Sequence, residues 1–509
     1  MAHPHATILL NRRQMNITPF DQLADEIWLQ IIAYITNSDN ERLLSSKKHP
    51  EDQRDLRNVA LVCKRLQPIA QEILFHTPLL RDDPQNGRAF NYANILKFTQ
   101  IMIASPELRK HVKQLRIQLP KDDYVNTSTW SAAASAAKKF RHAATAHIDQ
   151  GSLPTDFKQV LKDGLLSRSR WPAIGVLLTL TPSLQRLSLL PNELGCHYPN
   201  LPHEANILQG MFLACFPGRK SIIHTSVQHL PALQNLSYLK INLDRLWRVQ
   251  DLNYLPQLTT LDIEPIQGEN YEPQMQEFRI RNNIEEERRK LDQVSHLRWD
   301  CRSYPSSRSG ETLLKNFSAV FLFNNLQVVD IYGNSTHDPQ RHHGFSGNCN
   351  MRMVLALGHL KDTLRTLRLP SMFARRQQQF GNFPADLRDF PKLTKLLVPQ
   401  SYLNTRHLHD FSMDPPVDHL PPALEYLTIY GADSNFFDWI VNFIMVETQY
   451  SALKNVRVLF APDPIYTNED YKNLTMRVIR KSFWRAISKS HVQWTIGRDR
   501  LDYAFDILE

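Results

Sequence analysis

A six-residue pattern, here called the hexad, recurs along most of the chain and constrains its fold more than any other feature. Apolar residues occupy its first, fourth and sixth positions. It occurs as Val112-Leu115-Ile117, Leu184-Leu187-Leu189, Leu258-Leu261-Ile263, Val294-Leu297-Trp299, Leu326-Val329-Ile331, Leu364-Leu367-Leu369, Leu393-Leu396-Val398, Leu424-Leu427-Ile429 and Leu453-Val456-Val458, with a further copy of ambiguous frame within Leu233–Ile241. Because successive strand residues point to opposite faces, positions four and six share one face of a short strand. One unit cannot bury that face alone, so neighbouring units must stack.

Proline and regular spacing both support this interpretation. Proline stands two positions before the first apolar residue at Pro182, Pro256, Pro391 and Pro422, and at Pro231 in one frame of the ambiguous copy. Four successive hexads begin at residues 364, 393, 424 and 453, at intervals of 29, 31 and 29 residues. A helix that ends at proline and is followed by a short strand accounts for both features. We therefore predict an α/β solenoid over residues 79–463.

Helices are visible between some hexads. Apolar residues recur at helical spacing in 436–444 and in 275–291. The alanine-rich stretch 127–147 predicts an exposed or loosely packed helix. Residues 464–509 contain no clear hexad, and we predict that they form a C-terminal cap, which the end of a solenoid needs.

Three short helices are predicted before the hexads. Leu23, Ile27 and Ile31 recur at helical spacing, a second apolar stripe ends at Cys63, and Pro68 suits the first turn of a third helix. Residues 36–54 between the first two are polar and predict a loop. Periodicity alone fits a small helical bundle with no special role.

The residue identities in this region resemble the F-box. The resemblance lies in Leu23-Ala24-Asp25-Glu26-Ile27, Leu61-Val62-Cys63-Lys64-Arg65-Leu66 and Ile73-Leu74-Phe75, and covers about 55 residues, with the motif placed at 18–78. The chain departs from the family in having Ala24 where the family has proline, and in the length of the loop 36–54. The hexads that follow resemble the irregular leucine-rich repeats that accompany an F-box in fungal proteins. The expected fold is thus α + α/β, a three-helix F-box before an irregular leucine-rich-repeat solenoid.

The resemblance implies a function without bond-making chemistry. F-box helices dock onto a Skp-type adaptor of cullin–RING (SCF-type) ubiquitin ligases, and the repeat domain captures a protein substrate. The adaptor-binding residues that it implies are Leu23, Ile27, Ile31, Leu61, Val62, Cys63 and Leu66. An SCF substrate receptor acts in the cytoplasm or the nucleus. Two alternatives remain open: a ligase-independent repeat scaffold that binds proteins, and an enzyme with a site in the loops of 301–350.

Composition and motifs disfavour other functional classes. The net charge is +9, and because residues 1–80 hold nine basic and nine acidic residues, the whole excess lies in 81–509. An acidic partner for that part is plausible, but no basic tract with interleaved aromatics predicts nucleic-acid binding. The five cysteines are widely spaced, an odd count that fits a reducing compartment. No signal peptide or membrane span is recognisable, so no membrane partner is expected.

No motif predicts a cofactor, a metal or a catalytic residue. Phosphate-binding loops, dinucleotide fingerprints and nucleophile elbows are absent from the sequence. His337, His342, His343 and Cys349 lie close together, but their spacing matches no known metal site, and a polar loop is the preferred interpretation. The same holds for His407, His409 and Asp410, which suit surface or capping roles.

Overall fold

Short strands and connecting helices recur through the described part of the chain. The computed structural model describes residues 66–80, 93–119, 130–166, 171–191, 230–242, 255–264, 291–300, 318–332, 349–369, 386–403, 419–432, 436–460 and 487–498, and residues 58, 252 and 485 singly. Its strands are β1 (Leu79–Leu80), β2 (Gln114–Leu119), β3 (Arg186–Pro191), β4 (Tyr238–Asn242), β5 (Thr260–Glu264), β6 (His296–Asp300), β7 (Val328–Tyr332), β8 (Thr366–Arg368), β9 (Lys395–Pro399), β10 (Tyr426–Ala432), β11 (Asn455–Phe460) and β12 (Gln493–Arg498).

These twelve strands form a parallel sheet whose spatial order is the order of the sequence, from β1 to β12. The two end strands do not pair with each other, so the sheet is not closed into a barrel. All ten hexads form strands, β2 to β11, which confirms the strand prediction. The described residues thus build a mixed helix and sheet fold.

One face of the sheet carries the hydrophobic core. The fourth hexad position is in register across ten neighbouring strands. This row consists of Leu115, Leu187, Leu239, Leu261, Leu297, Val329, Leu367, Leu396, Leu427 and Val456, each at most 1% exposed. Full burial of one such side chain stabilises the fold by about 2 kcal/mol. The row therefore joins all hexads in one core, which extends from Leu80 to Val492.

The prolines before the hexads occupy turns. In four copies the N–H of the first hexad residue donates to the carbonyl three residues earlier, with proline second in the turn: Leu184 to Thr181 (3.1 Å), Leu258 to Leu255 (3.0 Å), Leu393 to Phe390 (3.1 Å) and Leu424 to Pro421 (3.3 Å). Proline suits that position because its fixed φ matches the turn and its missing N–H is not needed. Pro231 is different, since it begins a short helix, and the strand that follows fixes the ambiguous frame as Leu236-Leu239-Ile241.

Helices connect several strands on the core side. They are α1 (Leu66–His76), α2 (Ala93–Ala104), α3 (Trp130–Gln150), α4 (Thr155–Leu166), α5 (Trp171–Thr179), α6 (Pro231–Gln234), α7 (Cys349–Leu357) and α8 (Phe436–Val446). Helix α8 confirms the prediction at 436–444. Helix α3 confirms the helix predicted at 127–147, but its second half is packed rather than exposed, because Phe140, Ala144 and Ile148 are at most 3% exposed. Their helical spacing places one stripe of α3 against the core.

Some predicted elements fall outside the described residues. Of the three N-terminal helices, the structure describes α1 and the single helical residue Asn58. The predicted helix at 275–291 is represented only by Leu291, a buried residue outside any helix. Strand β12 lies in 464–509, where the sequence predicts a cap, and it continues the sheet beyond β11.

Candidate interaction surface on the sheet

The fifth hexad position lies on the sheet face opposite the core. Strand alternation places it there, between two core-facing residues, and the register aligns it across the sheet. This central row consists of Arg116, Ser188, Lys240, Asp262, Arg298, Asp330, Arg368, Leu397, Thr428 and Arg457. From β4 to β8 every member is charged and the sign alternates from strand to strand. We call these five residues, Lys240, Asp262, Arg298, Asp330 and Arg368, the charged row.

Cross-strand ion pairs connect the charged row. Asp262 Oδ2 is 3.9 Å from Lys240 Nζ and 3.9 Å from Arg298 Nη1. Asp330 Oδ2 is 3.5 Å from Arg298 Nε, and its Oδ1 is 3.4 Å from Arg368 Nη1. Opposite charges on directly paired strand positions stabilise a sheet, because their side chains lie side by side. Arg298 is shared by both carboxylates and is therefore the centre of the arrangement.

Two tyrosine hydroxyls complete the surroundings of Asp262. Tyr238 donates to Oδ2 at 2.7 Å and Tyr332 donates to Oδ1 at 3.0 Å. Burial alone would raise the pKa of Asp262, but Lys240, Arg298 and the two hydroxyls outweigh it and lower the pKa below its usual value. Burial, together with the charge of Asp262, holds the pKa of Tyr238 well above its ordinary range. The hydroxyls thus remain donors to an ionised carboxylate.

Asp330 has a different environment. It is fully buried, and neither oxygen accepts a hydrogen bond within the described residues. Burial raises its pKa, and the attraction of Arg368 and Arg298 only partly offsets that effect. The pKa values of Asp262 and Asp330 therefore shift in opposite directions, because tyrosine hydroxyls donate to Asp262 and none donates to Asp330.

The accessible part of the charged row is cationic. The side chains of Lys240, Arg298 and Arg368 remain 15%, 19% and 9% exposed, whereas Asp262 and Asp330 are 1% and 0% exposed. Solvent therefore reaches part of the three cationic side chains and not the two carboxylates. The arrangement can form ion pairs and hydrogen bonds with a partner at this face.

Two further cations lie on the same face, two residues before the central row. Arg186 lies over the ring of Tyr238, 4.4 Å from its centre, and Lys395 begins β9. Burial lowers the pKa of Lys395, which indicates a partly desolvated ammonium group. Arg298 also lies over an aromatic ring, that of Tyr332, at 5.1 Å.

The described residues offer no alternative site of metal or membrane type. No group of three or more His, Cys, Asp or Glu side chains among them could hold a metal ion. No helix in the described ranges is both long and apolar enough to cross a bilayer.

No model of a known protein family matches the chain, and no curated protein matches it significantly.

The structure describes few of the residues that the sequence singled out. Leu23, Ile27, Ile31, Leu61, Val62 and Cys63 lie outside the described residues, as do His337, His342, His343, His407, His409 and Asp410. Leu66 begins α1 and is 4% exposed. Cys349 begins α7. The adaptor-binding set therefore remains a prediction.

The charged row was not predicted, although the sequence contains its signal. Aligned hexads read Arg, Ser, Lys, Asp, Arg, Asp and Arg at the fifth position from β2 to β8. The hexad is defined by its apolar positions, and the charges lie at the residue between the last two of them. The hydrogen bonds from Tyr238 and Tyr332 to Asp262 cannot be predicted by aligning the hexads.

Proposed function

We propose that this chain is a substrate-recognition subunit of an SCF-type cullin–RING ubiquitin ligase. The observation that carries the proposal is the F-box-like segment, above all Leu61-Val62-Cys63-Lys64, placed directly before a repeating strand-and-helix domain. The F-box binds a Skp-type adaptor through apolar helix faces, including Leu23 and Ile27. The repeat domain binds the protein target, in the cytoplasm or the nucleus.

We further propose that the repeat domain is an irregular leucine-rich-repeat solenoid. The support is the sequential order of twelve parallel strands and the one-to-one register between neighbours. Every hexad contributes one strand and one set of inward residues, as expected when each repeat contacts its neighbours. The face opposite the core, with its charged row, is then the extended surface on which a target lies.

The junction between the two parts suits such a receptor. Phe75, which closes the F-box-like segment, stacks on Phe98 of α2 with ring centres 6.1 Å apart. Strand β1 follows three residues after α1 and pairs with β2. A short and packed junction favours a fixed distance between adaptor and target. The contribution of the receptor to the rate of ubiquitin transfer is then proximity.

A pull-down with a purified Skp-type adaptor tests the adaptor half of the proposal. The full chain is compared with a variant carrying Leu23→Asp and Ile27→Asp, and we expect binding of the first and loss of binding in the second, because a buried charge removes an apolar anchor. The matched control carries Leu355→Asp and Met445→Asp, at residues that are 66% and 78% exposed on α7 and α8. It should bind as the unmodified chain does. Absence of binding by the unmodified chain at micromolar concentration would contradict the proposal.

A ligase-independent repeat scaffold is the second candidate. Ala24 in place of the family proline and the long loop 36–54 favour it, since both depart from the F-box pattern. A scaffold predicts that the Leu23→Asp and Ile27→Asp substitutions leave partner binding and partner abundance unchanged.

A further inference from the structure

We propose that the face opposite the core binds an acidic, Asp- and Glu-rich segment of the target protein, which lies across strands β4 to β9. The inference rests on the proposed function, since it assigns a chemical class to the target of that receptor. Its basis is that the three cationic side chains of the charged row remain partly exposed, whereas its two carboxylates are buried.

A partner that approaches the charged row meets its cationic side chains first. Lys240, Arg298 and Arg368 keep part of their side chains in solvent, while Asp262 and Asp330 are buried. A carboxylate that approaches this face therefore reaches positive groups before negative ones. The buried carboxylates hold the cations in fixed positions, so little side-chain entropy is lost when an anion binds.

The cationic band is wider than the charged row. Arg186 and Lys395 add positive charge at the two ends of the charged row, on β3 and β9. Strand spacing makes β4 to β9 about 24 Å wide, which an extended peptide crosses in about seven residues. Lys395 is partly desolvated, so its pairing with a carboxylate is stronger than at an open surface.

The cationic band does not extend to the carboxyl ends of β5 and β6. Glu264 and Asp300 end β5 and β6, so acidic residues occur at the carboxyl ends of these strands. The cationic band thus follows the amino-terminal and central positions of the strands. The partner is expected there, and the whole positive excess of the chain lies outside residues 1–80.

The aromatic side chains of this face suit an acidic protein segment better than a nucleic acid. Single-stranded nucleic acids bind through aromatic rings on which bases stack. The rings of Tyr238 and Tyr332 are covered by Arg186 and Arg298, and their hydroxyls are engaged by Asp262. Among the described residues of β4 to β8, this face therefore offers positive charge without an uncovered tyrosine ring, which favours carboxylates on a polypeptide.

Fluorescence anisotropy with a labelled Glu-Ser repeat peptide of about eight residues tests the inference on the full chain. We expect binding that weakens as salt concentration rises, because the contacts are ion pairs near the surface. Lys240→Gln with Lys395→Gln should weaken binding about tenfold, and Lys395→Gln alone about threefold. The control, Lys138→Gln with Lys139→Gln, removes two exposed charges from α3 and should leave the affinity unchanged.

Three results would overturn the inference. They are absence of peptide binding by the unmodified chain, equal affinity of the Lys240 and Lys395 variant, and tighter binding of an equally charged single-stranded oligonucleotide. Circular dichroism and the adaptor pull-down are measured on the same variants. Retained adaptor binding with no peptide binding would reject the acidic target and leave the receptor proposal standing, whereas the reverse would reject the receptor and leave the anionic site.

Discussion

At the scale of single residues, two similar carboxylates have opposite electrostatic roles. Asp262 is stabilised as an anion by two tyrosine hydroxyls and by cations on both neighbouring strands. Asp330 accepts no hydrogen bond in the described residues, and its burial is only partly offset by Arg298 and Arg368. A buried ion pair gains little net free energy when desolvation is not balanced by hydrogen bonds.

The two carboxylates should therefore respond differently to neutralisation. The pKa of Asp262 lies below its unfolded-state value, so its contribution to stability is complete above that value and is lost as pH falls through the folded-state pKa. We expect Asp262→Asn to lower the free energy of unfolding at neutral pH by about 2 kcal/mol, with a smaller deficit below about pH 4. Urea unfolding over a pH series measures this deficit.

Asp330→Asn is the matched comparison. The pKa of Asp330 is raised, so its ionised form costs stability as pH rises through the folded-state pKa, and that cost is absent below the unfolded-state value. We expect Asp330→Asn to lower the free energy of unfolding at neutral pH less than Asp262→Asn does, by up to about 1 kcal/mol, because the relief of a buried charge partly offsets the ion pairs that are lost with Arg298 and Arg368. Parallel pH profiles for the two variants would contradict the assigned environments.

At the scale of elements, the hexad predicts strands well and their connections poorly. Ten strands follow directly from apolar spacing, since each must bury positions four and six. The sequence does not predict strand β12, because His491 occupies the first hexad position, where the other copies have an apolar residue. Trp494 and Ile496 occupy the fourth and sixth positions. The sequence does not predict the packing of the second half of α3, because its alanines suggest weak burial. Phe140 and Ile148 are the large side chains that pack against the core there.

His491, at the first hexad position of β12, contacts the buried carboxylate of Glu447. Glu447 follows α8 and is 3% exposed; its Oε2 accepts from Ser490 Oγ at 2.7 Å, and its Oε1 accepts from the His491 N–H at 3.3 Å. Ser490 Oγ also accepts from Trp494 Nε1 at 2.9 Å. A buried carboxylate thus replaces the missing apolar contact and attaches β12 to the sheet.

Loss of that carboxylate should loosen the last strand. We expect Glu447→Ala to lower stability by about 2 kcal/mol, because two donors lose their acceptor. Hydrogen exchange should rise chiefly in the amides of β12. Glu425→Ala is the control, because Glu425 forms a surface pair with Lys454 Nζ at 2.6 Å that is worth little. Uniform exchange across the sheet in the Glu447 variant would contradict a local attachment.

At the scale of the whole molecule, sequence order becomes spatial order. Each hexad lies beside the next, so a property that varies along the sequence becomes a gradient across the sheet. Charged fifth positions gather on β4 to β8, and Leu397 and Thr428 follow on β9 and β10. The parallel sheet was predictable because the hexads repeat; the position of the charged row on it required the register.

The central claim is that one chain joins an adaptor and a target through different parts. It is tested most directly by isolating the full chain and its Leu23→Asp, Ile27→Asp variant from cells and quantifying the bound proteins by mass spectrometry. The account predicts that the variant loses the Skp-type adaptor, keeps its other partners, and lets at least one of them accumulate in the cell. Unchanged partners and unchanged abundances in the variant would contradict the account and identify a ligase-independent scaffold.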